Sequence, residues 1–237
     1  APALAAPPLD VYGNLPTLSD VKLSPDGGKL AYVQQNGADR AVEVTDLTGK
    51  DKTVGVSIGD KKLRGIMWAG DGHLVIITSS TGHLHGWFSA LQEWFQIQSL
   101  DVATGQQLDL LTRQNTMIVN VALGAPSVRT IDGTPRLYVR SLYPRSDYFE
   151  DALYSLKLDG SEAKIEEAKS QFAYDWLIDE NGKAIAEIDY DDQTKHWGLN
   201  IKGADGFWKE VVSRTISIDI PSVAGLTPDG TVIVYQD

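Results

Sequence analysis

Hydrophobic and polar residues alternate with a period of two through most of the chain, in short runs set off by turn residues. AVEVTDL at 41–47, FQIQSLDVA at 95–103, ALYSLKL at 152–158 and GLNIK at 198–202 each read as a half-buried strand, with one face apolar and the other polar. Each run enters a turn, at Thr48-Gly49, Thr104-Gly105, Asp159-Gly160 and Asp205-Gly206. A second set of turns, Asp26-Gly27, Asp71-Gly72, Asp132-Gly133, Asn181-Gly182 and Asp229-Gly230, joins one strand-like run to the next. Asp or Asn bonds its own backbone in such turns, and glycine supplies the positive φ of a tight hairpin. The glycines of this second set are separated by 45, 61, 49 and 48 residues, so the chain repeats itself.

A repeat of this length holding about four antiparallel strands, a to d, is the unit of a β-propeller, in which each sheet buries both faces against its neighbours. The expected fold is therefore all-β: an N-terminal tail over 1–12, then a partial propeller over 13–237 with blades at about 17–60, 61–115, 116–170 and 171–218 and the start of a further blade at 219–237. Leu23, Trp68 and Leu226 each stand four residues before a turn glycine and are expected in the core. Aligning the first and last hairpins on Gly27 and Gly230 also matches Leu30 with Ile233. The fifth unit, VAGLTPDGTVIVYQD, lacks strands c and d, and a propeller does not close on half a blade. Either the sequence continues beyond Asp237 to complete seven or eight blades, or two copies cover each other's exposed blade faces.

Composition narrows the function classes. The net charge is −11 with no block of Lys or Arg, which argues against nucleic acid and anionic membrane as partners. No apolar run approaches the ~18 residues of a membrane span, so no membrane insertion is expected. The absence of cysteine removes disulfides, thiolate metal sites and cysteine nucleophiles together. APALAAPPLD has the small residues of an export cleavage region but is equally compatible with an ordinary flexible tail.

Chemistry is sparse. Neither the pentapeptide G-x-S-x-G nor the nucleophile elbow it forms, which strains a serine between strand and helix, is expected in this chain, so no catalytic residues are assigned. His73 and His196 fall beside turns, and His83-Leu84-His85 is flanked by STG and GW, which signal a loop rather than a metal-binding strand. DYDD at 189–192 lacks the glycine and ligand spacing of a calcium loop and reads as a solvated acidic turn. No metal and no cofactor are expected. Three b-to-c connections stand out as elaborated loops on one face of the disk: SSTGHLHGWFSALQEW, LYPRSDYFED and DYDDQTKH. Long loops on a rigid scaffold commonly carry recognition. Trp87, Glu93, Trp94, Arg145 and Asp191 are the substrate-facing candidates, although packing over the blade's own edge explains aromatics such as Trp87, Phe88 and Trp94 more plainly.

The segments LSDVKLSPDGGKLAYV, FQIQSLDVATGQQLDLL, DALYSLKLDG, YDWLIDENGKAIAEIDYDD and IPSVAGLTPDGTVIVY, in this order, resemble the N-terminal propeller of bacterial serine peptidases of the prolyl oligopeptidase family, the acylaminoacyl peptidases and dipeptidyl aminopeptidases. The resemblance runs from about Leu9 to the end, although the SPDG and D-x-x-TG turns are shared with TolB-like propellers. It implies a periplasmic or secreted protein whose propeller caps an α/β-hydrolase domain, absent from this sequence, and restricts access to oligopeptide substrates. Loop carboxylates facing the chamber would then bind a peptide's amino terminus. The alternative is an interaction propeller with no attached enzyme.

Overall fold

The computed structural model describes residues 16–37, 39–50, 52–83, 91–112, 120–145, 148–168 and 172–236. Eighteen strands and no helix lie among them. The first sheet comprises β1 (Leu18–Leu23), β2 (Lys29–Asn36), β3 (Asp39–Asp46) and β4 (Val54–Ser57). The second comprises β5 (Lys62–Ala69), β6 (His73–Gly82), β7 (Gln92–Asp101) and β8 (Gln107–Asp109). The third holds β9 (Ser127–Ile131), β10 (Thr134–Pro144), β11 (Phe149–Lys157) and β12 (Ala163–Glu167), and the fourth β13 (Ala173–Ile178), β14 (Ala184–Asp191), β15 (His196–Lys202) and β16 (Trp208–Thr215). A two-stranded sheet of β17 (Ser222–Leu226) and β18 (Val232–Tyr235) follows. Within each sheet, neighbours in sequence are antiparallel neighbours in space.

The alternation read from the sequence decides how these sheets stack. On β6, Leu74 and Ile76 join Val33, Val42, Val44 and Val56 of the first sheet, whereas Val75 of the same strand joins Leu137, Val139, Tyr154 and Leu156 of the third. Tyr138 and Leu153 of the third sheet meet Trp176 and Ile178 of the fourth, and Ala186, Ile188, Trp197 and Leu199 of the fourth pack on Val223 and Val232 of the two-stranded sheet. Each central sheet is thus buried on both faces, at roughly 1.5–3 kcal/mol per large apolar side chain. The fold is an all-β propeller of four-stranded antiparallel blades.

Hairpin chemistry matches the turn residues, with two differences. Ile131 pairs with Thr134 across Asp132 (φ 49°) and Gly133 (φ 75°), the two positive φ values of a type I′ turn. In the second sheet the left-handed residue is Gly70 (φ 64°) rather than Gly72, because Ala69 already pairs with His73. The first and last hairpins also differ in length. Leu23 pairs with Leu30, but Leu226 pairs with Val232, so Val232, and not Ile233, is the counterpart of Leu30. The reason is Gly28, an extra residue whose amide is held by Asp26 Oδ1 at 2.9 Å.

Leu23, Trp68 and Leu226 hold the same place in their hairpins, each at the end of strand a just before the turn, yet they are not equally covered. Trp68 is half-buried and its Nε1 donates to Lys22 O at 3.0 Å. Leu226 is half-buried as well, but Leu23 is 56% exposed, because no described sheet packs on that face of β1. Its expected core position is corrected accordingly.

Candidate functional site

At the b-to-c end of the second sheet, β6 and β7 stay paired up to Gly82 and Gln92. This carries Glu93 and Trp94 to the rim between the second and third sheets. Glu93 Oε1 accepts from Ser79 Oγ at 2.8 Å and Lys62 Nζ at 3.2 Å and is ion-paired with Arg64. Arg64 Nε donates to Ser79 Oγ at 2.7 Å, and its guanidinium lies 5.6 Å from the centre of the Phe95 ring. The Ser79 hydrogen bond, then Arg64 and Lys62, hold the Glu93 carboxyl down to about 2. A carboxylate so fixed is a permanent anion committed to neighbours, unsuited to proton transfer near neutrality.

Beside this cluster lies a cleft of about 540 Å³ walled by Ile77, Trp94, Phe95, Leu123 and Pro126, with Arg64 and Glu93 on its edge. Its far wall is positioned by backbone bonding, Ala122 N donating to Phe95 O at 2.9 Å and Leu123 N to Arg140 O at 3.1 Å. Trp94 contributes its ring to the cleft while its Nε1 donates to Gly82 O at 3.0 Å, closing the end of its own hairpin. An apolar groove with a charged edge can seat an apolar side chain of an extended segment and orient it by its polar backbone.

The remaining candidates sit on other hairpins. Arg145 donates to Glu150 Oε2 at 2.8 Å and to Ala168 O at 3.2 Å, and stacks 4.5 Å from the Tyr143 ring centre. Asp191 caps the β14–β15 turn, accepting from Gln193 N at 2.9 Å and Thr194 Oγ1 at 2.7 Å, and the Thr194 hydrogen bond leads the effects that lower its pKa. Trp87 lies outside the described residues, as do Phe88 and His85. Glu93 and Trp94 therefore share one cleft, while Arg145 and Asp191 secure separate turns. The two later connections expected as elaborated loops are shortened by strand pairing: β10 and β11 run to Pro144 and Phe149, and β14 and β15 to Asp191 and His196.

The pentapeptide G-x-S-x-G does occur once, at 55–59, a correction to the sequence reading. Ser57 ends β4, the last strand of the first sheet, its Oγ accepts from Gly59 N at 3.3 Å, and the chain turns into β5 with no helix. That is a strand end, not a nucleophile elbow. His196 is bonded to Glu210 at 2.8 Å. Among the described residues no three His, Asp or Glu side chains gather as metal ligands. Of DYDD, Asp189 accepts from Asn200 at 2.9 Å and Asp192 pairs with Lys195 at 2.5 Å.

Sequence reasoning missed Arg64, Ser79 and Phe95. A bulge between Leu63 and Gly65 breaks the alternation around Arg64, and Ser79 reads as an ordinary strand serine until its partners are seen.

No protein-family model and no curated protein sequence matches this chain. Among solved structures it is similar to TolB from Acinetobacter baumannii (18% identity, TM-score 0.45, covering 90% of this chain and 47% of that one). It is also similar to the uncomplexed acylaminoacyl peptidase of Pyrococcus horikoshii (20% identity, TM-score 0.47, 89% and 34%) and to an acylaminoacyl peptidase in complex with Z-Gly-Gly-Phe-chloromethyl ketone (18% identity, TM-score 0.48, 89% and 34%). The chain spans less than half the length of each.

Proposed function

We propose that this chain is the non-catalytic propeller portion of an exported serine peptidase acting on oligopeptides, where it restricts access and presents its b-to-c face to a chamber shared with an α/β-hydrolase domain. The carrying observation is the cleft beside Glu93, Arg64 and Phe95: an apolar groove with a fixed charge pair on that face of the disk. The order of peptidase-like segments along the sequence supports the same reading. A second reading, an interaction propeller without an enzyme, is favoured by the exposed apolar residues Leu18, Val21 and Leu23 of β1, which suit a protein partner.

Two measurements test the first reading. The coding sequence beyond Asp237 should encode further blades and then a serine elbow with its Asp and His; blades alone would point to the second reading. The 237-residue chain is expected to leave chromogenic aminoacyl esters intact and to take no label from a serine-directed phosphonate, whereas the full-length product hydrolyses the esters and takes the label. Turnover by the short chain that the phosphonate abolishes, and that Ser57→Ala removes, contradicts this assignment.

A further inference from the structure

A second cavity, of about 300 Å³, opens where the third and fourth sheets part at the b-to-c end. Phe149, Glu150 and Asp151 at the start of β11 form one side; Phe172 and Tyr174 at the start of β13, with Tyr190 of β14, form the other. Strand alternation puts Asp151 on the same face of β11 as Leu153, which packs against the fourth sheet, so its carboxylate faces the gap.

The charges around it do not balance. Asp151 accepts no hydrogen bond from the described residues, and burial raises its pKa against the opposing pull of Arg140. Asp175 is raised by burial in the same way and feels the same guanidinium, accepting among the described residues only from its neighbour Trp176 N at 2.9 Å. Arg140 is partly committed elsewhere, with Nη2 donating to Leu123 O at 2.6 Å and Cζ 5.1 Å from the Tyr174 ring centre, while its buried Nε and Nη1 make no hydrogen bond among the described residues. Two carboxyls thus share one cation, and Glu150 is already held by Arg145. The aromatic faces here attract cations, as Arg140 over Tyr174 and Arg145 over Tyr143 demonstrate.

We propose that this cavity binds an alkylammonium group on an apolar stem, of the kind a lysine side chain presents, with Asp151 receiving the ammonium and Phe172 and Tyr174 flanking the stem. An anion is disfavoured by the carboxylates in the wall, and a neutral apolar group would leave Asp151 without a donor. The site stands whether or not the chain serves a peptidase.

Titration of the 237-residue protein with n-butylammonium, followed by calorimetry and by ligand NMR signals, tests it. Saturable binding in the millimolar range is expected, at least tenfold tighter than n-butanol, which lacks the charge, and than glycinamide, which lacks the stem. Asp151→Asn should weaken n-butylammonium tenfold or more, and Phe172→Ala about threefold, both with unchanged far-UV circular dichroism, while Asp191→Asn should not alter it. If Asp151→Asn fails to fold, the Phe172→Ala titration and the comparison with n-butanol still decide. Absence of saturable binding, equal binding of n-butanol, or undiminished binding by folded Asp151→Asn overturns the proposal.

Discussion

Replacing Glu187 with glutamine is expected to stabilise the protein above pH 8 by a few kcal/mol while changing little at pH 5. Glu187 lies mid-strand on β14 with only 3% of its surface exposed. Its Oε2 accepts from Trp176 Nε1 at 2.6 Å, and Asp189, two residues along the same face, is its nearest like charge. Burial first, then the Asp189 charge, raises the Glu187 pKa from 4.5 to about 8 against the opposing Trp176 bond, with Glu167 adding a smaller push. The folded state therefore holds a proton that the unfolded chain releases near pH 4.5. Stability from this group is complete below that pH, declines as the pH rises toward 8, and is gone above it. A rise from 4.5 to about 8 caps the loss at about 5 kcal/mol. Glutamine carries no charge to desolvate, still accepts from Trp176, and offers an amide N–H to Asp189. Urea unfolding of both proteins at pH 5 and pH 9 reads the difference directly. A wild-type stability that stays level over this range, or a Glu187→Gln variant weaker than wild type at pH 9, would sink the idea.

Gly182→Ala is expected to cost about 3 kcal/mol or more, and Gly27→Ala only about 1. Both glycines sit in a-to-b hairpins with almost the same left-handed φ, +76° and +75°, so the backbone strain of adding a Cβ is common to the two. They differ in what the Cβ meets. At Gly27 nothing lies within 4 Å, whereas at Gly182 the new methyl would overlap the Tyr138 hydroxyl, lie 2.8 Å from its Cζ and reach 3.1 Å from Ile131 Cδ1. Tyr138 belongs to the third sheet and is packed against Trp176 and Ile178 of the fourth, so it has little room to withdraw. Shortening it by Tyr138→Phe should recover part of the loss in the Gly182→Ala background, on the order of 1 kcal/mol. Thermal or urea unfolding of the four proteins gives the cycle. Equal losses at Gly27 and Gly182 would mean that the turn, not the blade-to-blade contact, sets the cost.

The strand alternation and the recurring Asp-Gly and Asn-Gly turns were enough to derive four-stranded antiparallel units, because a period of two and a positive φ are properties of adjacent residues. Tertiary structure decided what each face meets. Leu23 and Leu226 have the same place in their hairpins, yet one is mostly exposed and the other is half-buried, sharing a cavity wall with Leu177 and Ile178 of the fourth sheet, since coverage depends on the next blade and not on the local pattern. Register was only partly legible: Gly28 lengthens the first hairpin by one residue relative to the last, and the bulge at Arg64 shifts a charge that alternation alone would misplace. Carboxylates show the same division. Glu93, Asp191 and Asp151 are all carboxylates at the b-to-c end of their sheets, but Glu93 is tied to Lys62 and Arg64 of β5, Asp191 caps its own turn, and Asp151 faces a gap between sheets with no hydrogen-bond donor among the described residues. An acid's availability is set by desolvation and by the donors that reach it, and many of those donors come from strands distant in sequence that only sheet pairing and blade packing bring near.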